Sequence, residues 1–306
     1  MSRRTQARKA SKGLSKAAGS SDLKAALLFI APAAIGFTLF FLYPTIVGFY
    51  YSLTEFNLLG TPNFIGLDNF ERLFADQLFW NSMKVTIWYV ILNIGFQTVI
   101  AVGLAVLMHR LTKNTAIRGA LLLPWLISNV IAAMLWFWLL DYQIGLVNMF
   151  LDWIGMGKIA FFGDEAWAIP TIAFINVWRH MGYTALLVFA GLQTIPGYVY
   201  EAASIDGSSE WSSFWRITMP LLRPVLAMVL VISLTGSFQV FDTVAVTTGG
   251  GPVNATRVIQ YYIWEKGFAQ GEFGYASALA LVLFLILATV AFFQPRLMRA
   301  DESDLA

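Results

Sequence analysis

The 306-residue chain contains no cysteine and only two histidines, and charged residues make up 12% of it. Without cysteine there is no disulfide, no thiolate metal site and no cysteine nucleophile, and redox compartment leaves no trace. The histidines, His109 and His180, are far apart with no carboxylates at ligand spacing, so no metal site is expected. A soluble domain carries roughly 25% charged residues. Half that fraction leaves too little polar surface to cover a water-facing globule. What fills the chain instead is apolar: 58% hydrophobic residues and a mean hydropathy of +0.66.

A phosphate loop of the form G-x-x-x-x-G-K-[ST] is also absent. Gly157-Lys158 runs into Ile159, and Gly249-Gly250-Gly251-Pro252 lacks the lysine and the hydroxyl. No ATP site of that kind is expected, and no paired carboxylate or nucleophile–base set lies in the apolar segments to make an enzyme. Nothing points to nucleic acid as a partner.

Six stretches reach the roughly 20 residues that cross a hydrocarbon core as helix: Ala25 to Tyr51, Val85 to Met108, Ile117 to Leu140, Ala168 to Leu192, Leu221 to Phe241 and Tyr275 to Phe293. The fourth is the least apolar, because it contains Asn176, Arg179 and His180. The first is too long for a signal peptide and has no small-residue cleavage site behind it. This predicts an all-α, multi-pass membrane protein.

Lys and Arg set the orientation. Seven precede the first span (Arg3, Arg4, Arg8, Lys9, Lys12, Lys16 and Lys24), and Arg110, Lys113, Arg118, Arg216, Arg223, Arg296 and Arg299 fall on the same side. Five face the other way (Arg72, Lys84, Lys158, Arg257 and Lys266), while Arg179 lies inside a span. Both termini are predicted to be cytoplasmic. The organisation expected is a disordered basic tail over 1–24, a six-helix domain over 25–295 and a cytoplasmic tail over 296–306. The tail serves as topology signal, with anionic lipid as its possible contact.

The longest loop on the basic side joins spans four and five. Pro196-Gly197 is a turn signal, Tyr198 to Asp206 has good helix formers with Glu201 in its first turn, and Gly207 suits the left-handed position that ends a helix. A second short helix is predicted from Glu210 to Thr218. Ala202 and Ala203 keep one face narrow. Tyr198, Tyr200, Ile205, Trp211, Phe214 and Trp215 offer bulky anchors, either for a protein partner or for lipid headgroups. Residue chemistry leaves these two readings even.

The pattern Glu201-Ala202-Ala203, Asp206-Gly207, Ile217-Thr218-Met219-Pro220 resembles the EAA motif of permease subunits in binding-protein-dependent ABC importers. Further segments resemble the carbohydrate branch of that family: Gly191-Leu192-Gln193-Thr194-Ile195-Pro196, Leu221-Leu222-Arg223-Pro224, Thr248-Gly249-Gly250-Gly251-Pro252 and Phe64-Ile65-Gly66-Leu67-Asp68-Asn69-Phe70. The likeness spans most of 25–295. It implies a MetI-like type I permease of the maltose class, in the shorter six-helix form that sugar and glycerol-phosphate importers share. The EAA loop, 196–220, would then be the coupling helix docking on an ATPase, with Glu201 and Gly207 central and Ala202, Ala203 and Asp206 beside them. ATP and magnesium would be bound by that partner dimer, with no cofactor on this chain. A second, homologous permease and an extracytoplasmic solute-binding protein would complete a bacterial inner-membrane importer.

Polar side chains inside spans usually face the bundle interior. Span three offers Asn129; span four offers Asn176, Trp178, Arg179 and Tyr183; span five offers Ser233, Ser237, Phe238 and Gln239. The resemblance puts solute contacts on the helices flanking the EAA loop, near Asn176, Tyr183, Ser233 and Ser237; with Asn129, Arg179 and Gln239, polar residues of the same spans and of span three, these are the candidates. Each is equally suited to an interhelical hydrogen bond. Arg179 is read as a solute contact or, slightly favoured, as a structural pair with Asp242 or the partner permease. A neutral di- or oligosaccharide is the first expected solute, with glycerol phosphate or a polyol as the alternative. An independent secondary transporter is the remaining rival. It would need broken helices or a midplane carboxylate, and no acidic residue lies near the centre of any predicted span.

Overall fold

The computed structural model describes residues 25–111 and 114–297. The basic tail over 1–24 and the residues beyond 297 lie outside the described part. Five helices are long and apolar enough to cross a membrane, and a bent pair makes up the sixth apolar run.

Helix α1 (Ala25–Ser52) contains a π-helical turn, Thr38–Leu42, and its most apolar window has no buried residue. It leads into a two-residue hairpin pairing, β1 (Thr54–Glu55) with β2 (Asn63–Phe64), in which Thr54 faces Phe64. Helix α2 (Asp68–Ala75) is tied back by Asn69, whose buried amide donates to the carbonyls of Ser52 (3.0 Å) and Thr54 (2.9 Å). Helix α3 (Gln77–Leu111) has 35 residues, about 50 Å of rise. That exceeds a hydrocarbon core of about 30 Å. It therefore reaches well past the apolar layer.

The third span departs from expectation. Instead of one helix over Ile117–Leu140 there are two, α4 (Thr115–Leu126) and α5 (Asn129–Leu139), bent by 91°. Pro124 removes one backbone donor, and Ile127 and Ser128 then turn extended, with ψ of 137° and 145°. Broken backbone at membrane depth persists only where something else satisfies the freed carbonyls. Arg179 does so, as described below.

Helix α6 (Leu146–Trp153) precedes α7 (Glu165–Gln193), which starts at an Asp164 cap accepting from the Ala166 amide at 2.8 Å. Despite its polar residues, α7 is the most buried of the spans. It packs along α3 and against α4. A Cβ built on Gly182 would stand 1.8 Å from the Leu121 carbonyl oxygen, so the α7 and α4 backbones touch there. Gly182→Ala is expected to push α4 away at a cost of about 3 kcal/mol. Thermal unfolding of the purified protein checks this, and an unchanged transition would refute the close contact.

Helix α8 (Gly197–Ile205) is followed by α9 (residues 210–221), which passes through a π-helical turn, Phe214–Thr218. The predicted second helix therefore does not stop at Thr218. The widened turn lies just before Pro220, whose ring would meet a carbonyl in a regular helix. Helix α10 (Arg223–Phe238) breaks at Gln239 and resumes as α11 (Asp242–Thr247). The fifth apolar run thus extends to Thr247 rather than ending at Phe241. Helix α12 (Ile259–Trp264), with a π turn over Glu265–Ala269, leads to α13 (Phe273–Leu297). The last helix runs two residues into the segment read as a tail.

The end carrying α2 and α12 is knotted by Asp76. Its carboxylate accepts from the hydroxyls of Tyr275 (2.7 Å) and Tyr262 and from the Leu78 amide (2.8 Å). Burial opposes that charge, but these donors outweigh it and hold the carboxyl below its usual range. Arg72 lies 4.1 Å over the Tyr275 ring and pairs with Glu272 at 2.5 Å.

Two apolar clusters form the core. One, at the α2 and α12 end, contains Leu73, Tyr89, Ile172, Val244, Tyr262 and Leu279. The other, at the α8 and α9 end, contains Ala105, Val188, Leu192, Leu222 and Leu226.

Candidate functional site

A polar layer separates the two clusters. On α3 it falls between Val90 and Ala101, on α7 between Ala173 and Ala185, and on α10 between Val229 and Phe238. In each helix the polar residues recur at three- or four-residue spacing: Asn93 and Gln97, then Asn176, His180, Tyr183 and Thr184, then Ser233 and Ser237. Such spacing puts them on one helix face. Together with Asn129, Gln239 and Asp242 they line a cavity of about 310 Å³.

Its floor is a hydrogen-bonded chain. The Asn93 amide donates to Ser237 Oγ at 2.8 Å and more weakly to Gln97 Oε1 at 3.4 Å. Gln97 in turn donates to Thr184 Oγ1 at 2.8 Å and to Ser233 Oγ at 3.4 Å. Ser237 spends its own proton on the Ser233 carbonyl, 2.7 Å away. Asn93 Oδ1 is buried without a partner among the described residues. A buried, unsatisfied carbonyl is costly, and this one belongs to a cavity-lining side chain. On one wall Trp125 stacks on Tyr183, with ring centroids 4.7 Å apart and planes 9° from parallel. Stacked rings beside amides and hydroxyls are what a sugar's apolar face and hydroxyls need.

Arg179 does not line this cavity. Its Nε donates to the Ile127 carbonyl at 2.8 Å and its Nη2 to the Trp125 carbonyl at 3.2 Å. Nη1 lies 2.9 Å from His180 Nε2. His180 Nδ1 is 3.0 Å from the Asn176 carbonyl, which can only accept, so Nδ1 carries the proton and Nε2 receives one from Arg179. The guanidinium therefore caps the broken third span. The expected pairing with Asp242 is a longer-range attraction between the two charges rather than a direct contact; Asp242 Oδ2 itself accepts from Asn129 at 2.9 Å, joining the breaks of spans three and five. None of the ion pairs among the described residues includes Asp242.

Of the seven predicted solute residues, Asn129, Asn176, Tyr183, Ser233, Ser237 and Gln239 line one cavity. Asn176 has its amide committed to the buried Tyr89 hydroxyl at 2.5 Å. Trp178 lies edge-on to Trp136 and Phe238 is in the core, so neither faces the cavity. Sequence reasoning passed over Asn93, Gln97, Trp125, His180, Thr184 and Asp242. Two amides four residues apart in an otherwise apolar second span were a readable signal. A carboxylate within the fifth run and a broken third span were not expected, and they are the features a secondary transporter would also show. Here Arg179 supplies the positive charge at the break.

Helix α8 has no buried residue. Glu201, Ala202, Asp206 and Gly207 are exposed and Ala203 half-buried; Ile205 is 85% exposed. Pro196 takes the N-cap position, so the helix starts at Gly197 and Glu201 falls in its second turn rather than its first. The C-terminus matches expectation. Gly207 has φ of +75°, its amide bonds to the Ser204 carbonyl (3.1 Å), and the Ser208 amide bonds to the Ala203 carbonyl (2.9 Å). These two bonds define a Schellman cap. Tyr200 meets Thr218 Oγ1 at 3.0 Å, holding α8 against α9. Arg110 pairs with Glu210, tying the loop to the end of α3.

The family model described as binding-protein-dependent transport system inner membrane component matches residues 97–299. The sulfoquinovosyl glycerol transport system permease protein SmoG of Agrobacterium fabrum is 33% identical over 284 residues, 92% of each chain. The trehalose/maltose transport system permease protein MalF of Thermococcus litoralis is 31% identical, covering 87% of this chain and 90% of that protein. A crystal structure of a bacterial alginate ABC transporter, in complex with an alginate pentasaccharide-bound periplasmic protein, contains a chain that superposes with a TM-score of 0.78 at 26% identity. That match covers 93% of this chain and 98% of the other. Two thirds of the chain lie within the family model and nearly all of it aligns with these transport proteins, so this protein belongs to the family of inner membrane components of binding-protein-dependent transport systems.

Proposed function

We propose that the chain forms half of the membrane pathway of an ATP-driven importer for a carbohydrate, a di- or oligosaccharide in size. The observation that carries this reading is the cavity: amides, hydroxyls and a stacked Trp125–Tyr183 pair, enclosed by four apolar runs. Relatives named for sulfoquinovosyl glycerol, trehalose or maltose and alginate point to the same solute class.

A second permease of the same family closes the pathway from the other side. A periplasmic binding protein delivers solute, as the complex in the alginate structure supports. With both termini cytoplasmic, as the Lys and Arg distribution favours, α8 faces an ATPase dimer. The exposed surface of Glu201, Ala202, Ala203, Asp206 and Gly207 then enters the ATPase, which supplies the nucleotide site. Closure of the ATPase pulls the loop, and the rigid cap at Gly207 together with the Tyr200–Thr218 contact passes the movement to α7 and α10. Rigid-body rocking of these helices opens the cavity to alternate sides.

The test is ATP hydrolysis by the reconstituted complex with its binding protein, across a panel of sugars and polyols. Stimulation by at least one di- or oligosaccharide is expected. A complex stimulated only by non-carbohydrate solutes would refute the carbohydrate reading.

A further inference from the structure

Helix α6 is amphipathic in the reverse sense to a water-facing helix. Leu146, Met149, Phe150 and Trp153 fall at i, i+3, i+4 and i+7, the spacing of one helix face. All four are more than half exposed, Trp153 to 81%. Asn148 lies on the opposite face and is fully buried. Its amide donates to the Asp141 carbonyl at 3.0 Å and to the Ile159 carbonyl at 2.9 Å, and its Oδ1 accepts from the Ile159 amide at 2.8 Å. These bonds tie α6 to the chain on both sides of it, so the apolar face is held in a fixed attitude. A helix on a water-facing surface turns its polar residues outward and its apolar residues inward. This one does the opposite.

Its place in the fold says what covers that face. Helix α6 joins the end of α5, at Leu139, to the start of α7, at Glu165, so it lies where two apolar runs end. Phe137, near the end of α5, meets Phe162 with ring centroids 5.1 Å apart, and Phe161 meets Trp167, in the first turn of α7, at 6.0 Å. The two helix ends therefore stand at one level. Trp138 and Trp167, at that level, are exposed as Trp153 is, and exposed tryptophans collect at the headgroup level of a membrane. The exposed Met134 and Leu135 of α5 lead the apolar surface up to it. We propose that α6 is an interfacial anchor lying along the membrane surface, on the side away from the α8 loop. Its Leu146, Met149, Phe150 and Trp153 face sinks into the boundary between headgroups and acyl chains, and Asp152, on the other half of the helix, stays in water. Through Asn148 this holds the end of the broken third span level with the start of α7.

The chain has no cysteine, so one nitroxide label can be placed on α6 without altering any other residue. Met149→Cys, Phe150→Cys, Trp153→Cys and Asp152→Cys are each labelled in the assembled importer, in nanodiscs of phosphatidylethanolamine and phosphatidylglycerol. The importer containing the unaltered chain is the blank. Power-saturation EPR, with and without the binding protein, compares collisions with oxygen, which concentrates in lipid, and with a nickel chelate, which stays in water. Oxygen is expected to exceed nickel at positions 149, 150 and 153, and nickel to exceed oxygen at 152. Nickel ahead at all four means that the face meets water, and overturns the proposal. Low collision with both reagents at 149, 150 and 153 means that protein covers the face, and overturns lipid as its occupant. That protein is the second permease if the block is permanent, or the binding protein if the block appears only on its addition. Oxygen ahead at all four places α6 inside the hydrocarbon and overturns the interfacial position.

Discussion

Replacing Gly207 with proline is expected to abolish solute-stimulated ATP hydrolysis by the assembled complex while leaving the cavity intact. Gly207 holds φ at +75°, and proline is confined near −65°. The substitution also deletes the amide that bonds to the Ser204 carbonyl. With the cap gone, the last turn of α8 unwinds at a cost of about 3 kcal/mol, which reduces the docked population about a hundredfold. Gly207→Ala separates backbone from bulk. A Cβ there meets nothing within 4 Å, so only the left-handed strain of about 1–2 kcal/mol is added. A graded series, from full activity to partial loss with alanine to abolition with proline, is the expected outcome. Glycan binding measured on the same preparations should not change. A well-assembled Gly207→Pro complex that transports normally would remove α8 from the coupling path.

Arg179→Gln is expected to destabilise the complex and slow transport of every solute alike. Glutamine has one amide where arginine reaches the Ile127 and Trp125 carbonyls and the His180 ring at once. At least one carbonyl of the broken span is stranded, at about 1–3 kcal/mol, and the Trp125 wall of the cavity loses its anchor. The measurement is the thermal transition of the purified complex together with transport kinetics. A solute contact would behave differently, raising the apparent KM for solute at unchanged thermal stability. An Arg179→Gln complex with normal stability and a raised KM would overturn the capping role.

Much of this was readable from residues in order. The length and apolarity of the runs from Ala25 to Phe293 predicted a membrane protein, and four of them are unbroken helices, while the third and fifth are interrupted. Gly207 was readable because a helix that must stop in the left-handed region nearly dictates glycine. The start of α8 was misplaced by one residue, because Pro196 caps it rather than preceding it. Six of the seven candidates from spans three to five line one cavity, and Arg179 does not. Asn93 and Gln97 lie on a span that does not flank the loop, so the resemblance carries no signal for them.

What the amino-acid order settles alone is what adds up locally: how much of each segment tolerates lipid, which loop carries glutamate, glycine and proline at family spacing, and that the G-x-x-x-x-G-K-[ST] pattern does not occur. The fate of Arg179, of Asp242 and of the third span belongs to the folded molecule. Pro124 marks a weak point, but a backbone break in an apolar layer survives only if distant donors satisfy it. Here the donor comes from a helix some fifty residues further along the chain. Because that arginine is committed to the break, it stays off the cavity lining while Asp242 remains on it, a placement decided by packing.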